Sequence, residues 1–290
     1  LMSSRNNQDR LAQQAGNDNN DQPNQQKRLA FSVPTEFVDL PSKGLYYPEG
    51  HVLHNIDQVE IKHMTAKEED ILASESLIKK GVVIDRLLES VIMTPNLNVS
   101  DLLAGDKNAL IVAARVSGYG SDYTTVVTCP ACESKTEKNF NLEEYETVGA
   151  TYSREEMNES LEGVEATENS TFKATLPKSG FEVEFRLLTG ADEKKVEEFQ
   201  KVKKRNGTSE TSTFIDTLAM IMVSVDGVND RMQIAEFAEN MPATDSKFLR
   251  KLYQALTPNV SLKQEFVCSA CGYERDLEVP ITTDFFWPQQ

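Results

Sequence analysis

Two stretches of this chain carry the same device: VVTCPACESKTEKNF, with Cys129 and Cys132, and EFVCSACGYERDLEV, with Cys268 and Cys271. Each is a short apolar run, a Cys-x-x-Cys, a polar turn and a second run, and the chain has four cysteines in all. A Cys-x-x-Cys at a hairpin tip aims two sulfurs at one point, where peptide N–H groups of the turn stabilise thiolates. Two such knuckles facing each other form a closed tetrahedral S4 site, which suits Zn2+ at a Zn–S distance of about 2.3 Å. The spacing therefore predicts a structural Zn2+ held by Cys129, Cys132, Cys268 and Cys271. Iron fits the same sulfur geometry. A redox role is the weaker reading, since neither motif opens a helix that would depress a thiol pKa. Gly272, directly after Cys271, suits the positive φ of such a turn, whereas the first knuckle has Glu133 in that place.

The 135 residues between the two pairs far exceed the gap in a compact zinc ribbon. Duplication explains the distance. VEIKHMT (59–65) matches VEFRLLT (183–189), and an acidic helix start follows each, AKEEDIL and GADEKKV. The threonine is placed to cap that helix. IDRLLESVI (84–92) resembles IDTLAMIMV (215–223), aligning Leu87 with Leu218 and Val91 with Met222. LPSKG (40–44) stands against LPKSG (176–180), and the step from Asp106 to Cys129 is 23 positions, as is that from Asp245 to Cys268. The fold expected is α+β: two pseudo-symmetric duplicated α+β units, each ending in a Cys-x-x-Cys β-hairpin that is zinc-ribbon-like. The metal would close a long loop, adding roughly 4 kcal/mol on the chain-entropy estimate for cross-links.

Composition sets the limits of these units. Residues 1–30 are rich in Gln, Asn and Asp with little to bury, which predicts a disordered polar tail. Residues 142–170 contain nine Glu and one Arg and read as an acidic linker, with a transient helix around 153–162. The first unit then spans 31–141 and the second 171–290. No run approaches the length of a membrane span, and the first residues lack an apolar signal core, so the thiols are expected in a reducing cytosol.

The net charge of −16 repels phosphate backbones and disfavours direct nucleic-acid binding. His51, His54 and His63 read as strand or turn residues, and GYG (118–120) lacks the context of a phosphate loop. No Cys or His is left over for a nucleophilic triad, so the chain reads as no enzyme. Tyr46, Tyr47 and Pro48 follow a Gly turn, and Phe285, Phe286 and Trp287 end the chain in an aromatic cluster. They are candidate partner contacts; the competing reading is packing within their own units.

LPSKGLYYPEG (40–50), VEIKHMTAKEEDIL (59–72) and LLESVI (87–92) together resemble the T4-type bacteriophage baseplate hub family. The resemblance covers 40–95 well and 36–280 loosely. It implies a non-enzymatic structural component or assembly factor of the hub in a contractile tail. Its partners would be other baseplate hub or tail proteins, an oligomer being compatible with this. Its places would be the virion baseplate and, during assembly, the host cytoplasm. A tail-assembly chaperone absent from the mature virion and a cytosolic zinc-ribbon adaptor are the alternatives.

Overall fold

Alternating residues in two matched segments start each half of the fold. The computed structural model describes residues 32–149, 163–205, 213–279 and 285–286. The chain divides into Leu1–Val33 and Pro34–Gln290, and every described helix and strand belongs to the second unit. The tail expected over 1–30, the helix expected around 153–162 and Trp287 all lie outside the described residues.

In the first half, β1 (Thr35–Asp39) pairs antiparallel with β2 (Gln58–Lys62), Val38 opposite Val59 and Glu36 opposite Ile61. Alternation turns Val38, Val59 and Ile61 into the core. β2 leads through Thr65 into α1 (Ala66–Leu72). The Thr65 hydroxyl accepts from the Lys67 N–H, and Glu68 accepts from the Thr65 N–H, a reciprocal cap that satisfies otherwise orphaned donors. After α2 (Glu75–Lys80), α3 (Val83–Val91) buries Leu87, Leu88 and Val91 along one stripe. A short 3-10 turn (Val99–Asp101) opens α4 (Ala104–Tyr119), which buries Leu110, Val112 and Ala114 and has little solvent face in its middle. The hairpin of β3 (Asp122–Thr128) and β4 (Lys135–Asn141) follows.

The second half runs in the same order with additions. β5 (Glu146–Val148) precedes a four-stranded antiparallel sheet, order β6 (Val164–Ala166), β7 (Phe172–Thr175), β8 (Glu182–Phe185), β9 (Met222–Val225). Between β8 and β9 lie α5 (Gly190–Arg205) and α6 (Thr213–Ile221); after them come α7 (Arg231–Asn240) and α8 (Ala243–Leu256). β10 (Asn259–Ser261) pairs with β5, and β11 (Lys263–Val267) with β12 (Glu274–Glu278). The protein is thus mixed α+β with small antiparallel sheets.

The acidic stretch is more structured at its ends than a linker. Glu146–Val148 forms a ladder with Asn259–Ser261, and Val164, 3% exposed, belongs to the sheet edge. Backbone pairing does not need an apolar composition, which is why the glutamates concealed both strands. Nor are the halves separate bodies: one cluster of buried side chains runs from Val59, Leu87 and Leu110 to Val183, Phe185 and Leu218. Burial of each such side chain contributes about 1.5–3 kcal/mol, so the shared core itself joins the halves. Asp85 on α3 adds a polar tie, accepting from Lys107 on α4 at 2.9 Å and also from Lys194 on α5. Gly105 shows how close the packing is. A Cβ there would lie 1.9 Å from the Pro258 carbonyl, so only glycine lets α4 start against the strand that pairs with β5.

Candidate metal centre

Each knuckle is built by the same backbone bonds. In the first, the Cys129 N–H donates to the Ser134 carbonyl at 2.8 Å and the Glu133 N–H to the Cys129 carbonyl at 2.9 Å. In the second, the Cys268 N–H donates to the Tyr273 carbonyl at 2.8 Å and the Gly272 N–H to the Cys268 carbonyl at 2.9 Å. The residue after the second cysteine is left-handed in both, φ +59° at Glu133 and +70° at Gly272. Glu133 therefore adopts the glycine conformation, at a cost of about 1–2 kcal/mol for a residue with a Cβ.

The hairpins stand side by side. Gln264 on β11 accepts from the Asn141 N–H at 3.1 Å and donates to the Asn141 carbonyl at 2.5 Å, bonding across to β4 as a strand neighbour would. This contact joins the hairpins near their bases, and at their tips the four Sγ atoms lie within 4.8 Å of one another. Cys129 and Cys271 approach to 3.8 Å, Cys132 and Cys268 to 3.7 Å. Each close pair takes one cysteine from either hairpin, so the sulfurs interleave. Cys129 and Cys268 are buried while Cys132 and Cys271 face solvent.

Four sulfurs this close cannot all be anions without a cation among them. The protein's own donors help only some. The Ser134 hydroxyl, 3.1 Å from Cys132 and 3.2 Å from Cys268, draws both thiols down, Cys268 to about 6. Cys271, although the Tyr273 backbone N–H lowers it, is pushed up to about 12 by the neighbouring thiols. A metal ion held by all four as thiolates would remove this conflict. The four cysteines are the group among the described residues that could hold one.

The histidines do other work. The His51 ring stacks on Tyr47 at 4.5 Å, and His54 Nδ1 lies 2.7 Å from the Tyr47 carbonyl oxygen. Tyr47 is itself interior. Its hydroxyl donates to Asp106 at 2.7 Å and accepts from the Leu103 N–H at 3.0 Å, and burial pushes its pKa far up. Tyr46, Tyr47, Phe285 and Phe286 are at most 7% exposed and pack in the core. The two tyrosines line the edge of a cavity of about 310 Å³ with Pro48, which is exposed.

Three supports of the site were not legible as such. Asp106 and Asp245 each stand 23 positions before a cysteine, and each is a buried carboxylate that holds a preceding loop. Asp106 accepts from the Ser42 N–H and hydroxyl; Asp245 accepts from the Lys178 and Ser179 N–H groups at 2.6 and 2.9 Å. Arg115, 1% exposed, donates to the carbonyls of Gly120, Asp122 and Phe285. It fixes the start of the first knuckle hairpin against the aromatic pair near the chain's end. Nothing in the sequence marks an arginine for that role except its position one turn before the glycine of GYG.

Among the described residues no helix is long and apolar enough to cross a membrane. No curated protein and no solved structure matches the chain. A family model described as the T4 bacteriophage base plate protein matches residues 34–287, from the first residue of β1's approach to the terminal aromatics. A match over that span covers the whole described fold and both knuckles, and the chain therefore belongs to the T4 bacteriophage base plate protein family.

Proposed function

We propose that this protein is a structural component or assembly factor of the baseplate hub in a contractile tail, working by protein–protein contacts with a structural Zn2+. The family match over 34–287 is the observation that carries the baseplate reading. The metal reading is supported by the sulfur spacing: a tetrahedron with Zn–S of about 2.3 Å has S···S edges of roughly 3.8 Å, against the 3.7 and 3.8 Å found here. With four thiolates the coordination shell is closed, so the ion supplies rigidity and no catalysis.

A duplicated origin accounts for the paired arrangement. Lys62 with Glu68 and Arg186 with Asp192 are the same strand-to-helix ion pair, at 2.8 and 2.6 Å. Asp106 and Asp245 bind equivalent loops, and the knuckles repeat bond for bond. On this reading each half contributes one claw, and the metal locks the pair into one rigid wedge. The partners are other hub or tail proteins, met in the host cytoplasm during assembly.

Disruption of the gene in the phage tests the assignment. The expected outcome is lysis with heads formed but tails lacking a completed baseplate; normal infectious tails would reject it. Mass spectrometry of purified virions separates a permanent subunit, present at stoichiometric level, from a chaperone that is absent.

A further inference from the structure

The two halves differ at one strand edge. In the second half, β6 covers the outer edge of β7: Thr167 donates its N–H to the Thr171 carbonyl, and the ladder places Glu165 opposite Lys173. In the first half β1 takes the place of β7, as Val38 faces Val59 where Ala174 faces Val183. No strand among the described residues pairs with the outer edge of β1.

The ladder decides which groups that edge offers. His63 donates its N–H to the Pro34 carbonyl and Leu40 donates to the Asp57 carbonyl. Antiparallel bonding alternates, so Glu36 and Val38 bond β2 while the N–H and C=O of Thr35, Phe37 and Asp39 point outward. Phe37 sits at the centre of this edge, 67% exposed, where the second half has a lysine. Glu36 keeps a buried carboxylate oxygen, Oε1, without a partner among the described residues.

We propose that the outer edge of β1 is a docking site for an extended, basic segment of another protein, which adds to the β1–β2 hairpin as β6 adds to β7. Backbone hydrogen bonds to Phe37 would supply register, and an apolar side chain opposite Val38 would continue the core as Val164 does. Charge selects the partner. Glu36 and Asp39 lie on the edge strand and Glu60 beside Phe37, so a strand bearing Lys or Arg is complementary and a second copy of this acidic chain is not. The donor being a baseplate neighbour rests on the function proposed above; the edge itself does not.

The test uses the full chain and a short fluorescein-labelled peptide alternating valine with lysine, beside a valine–glutamate control. The valine–lysine peptide is expected to bind saturably by fluorescence anisotropy and the control not to bind. Phe37→Pro removes the outward N–H while leaving the β2 ladder whole, and should weaken binding at least about tenfold with an unchanged melting temperature. Phe37→Thr keeps the N–H and should stay within about threefold of the parent. Absent binding, equal binding of both peptides, or equal loss in the two variants overturns the proposal. Two further outcomes also overturn it by naming another occupant. One is a concentration-dependent dimer in sedimentation that Phe37→Pro abolishes; the other is a tenfold gain in peptide affinity on deleting residues 1–30. A normal infectious phage from the gene disruption would reject the baseplate role and leave the peptide result standing.

Discussion

Ser42 and Asp106, 64 positions apart, meet through two hydrogen bonds, N–H to Oδ1 at 2.9 Å and hydroxyl to Oδ2 at 2.6 Å. The carboxylate also holds the Tyr47 hydroxyl, so one buried group fixes the loop after β1 onto the first turn of α4. Asp106→Ala would leave three buried donors without an acceptor. It is expected to cost about 3 kcal/mol, read as a shift in urea midpoint. Asp245→Ala removes fewer partners and should cost about 2 kcal/mol. Equal stability of the parent and Asp106→Ala would show that the loop finds another anchor.

Acid should weaken the protein through two ion-paired carboxylates, Glu68 and Asp192. Burial raises the Glu68 pKa, but donors on Lys62, Ser90 and Thr65 outweigh it and hold the group at about 2, against 4.5 for an ordinary glutamate. Asp192 is likewise raised by burial but held at about 2 by Arg186 and Thr189, against 3.8. Both are depressed on folding, so their stabilisation is whole above about pH 4.5 and is lost as the pH falls through about 2. Urea midpoints should therefore drop from about pH 5 to about pH 3, and Lys62→Met with Arg186→Met should flatten that slope. An unchanged slope in the double variant would assign the acid sensitivity elsewhere.

Elemental analysis of protein purified without added metal should find about one zinc per chain. Cys132→Ser and Cys271→Ser should each abolish it and lower stability by about 4 kcal/mol, the scale of the loop the ion closes. Iron in place of zinc would change the ion and leave the geometry. Full metal retention in either variant would rule out a four-thiolate site.

Glu133→Gly should stabilise the first knuckle by about 0.5–1 kcal/mol, since the left-handed φ of +59° costs glycine nothing. The reciprocal change, Gly272→Ala, should destabilise by about 1 kcal/mol although nothing lies within 4 Å of its Cβ. Thermal melts of the two metal-loaded variants read both signs.

Arg115→Met keeps the volume and removes the donors to Gly120, Asp122 and Phe285. Limited proteolysis should then cleave at Phe285 and Phe286 at least about tenfold faster than in the parent. An unaltered digestion rate would mean that the Phe285 and Phe286 rings stay packed without the arginine.

The knuckles, the convergence of their sulfurs and the strand-to-helix step at Thr65 were legible because cysteines and a capping threonine mark local geometry directly. Tyr46 and Tyr47 were harder. Each has an apolar ring and a polar tip, and whether it packs or docks depends on a partner such as Asp106 that lies far along the chain. The strands β5 and β6 were hidden for the opposite reason: Glu146 and Glu165 take part through their backbones, leaving no side-chain pattern to read. Arg115 satisfies carbonyl oxygens, which every residue has, so its burial leaves no trace in composition.

The interleaving of the four sulfurs has a consequence for the order of synthesis. Cys132 leaves the ribosome 136 residues before Cys268, its close neighbour in the cage. At a translation rate of about 5–20 residues per second, the first pair waits on the order of ten seconds for the second. During that interval the nascent chain displays only two of the four thiols. An ion that needs all four thiolates would be held tightly only once Cys268 and Cys271 have emerged. A chain cut short before Cys268 would lack two of the four ligands, so such an ion would distinguish chains carrying both knuckles from fragments carrying one.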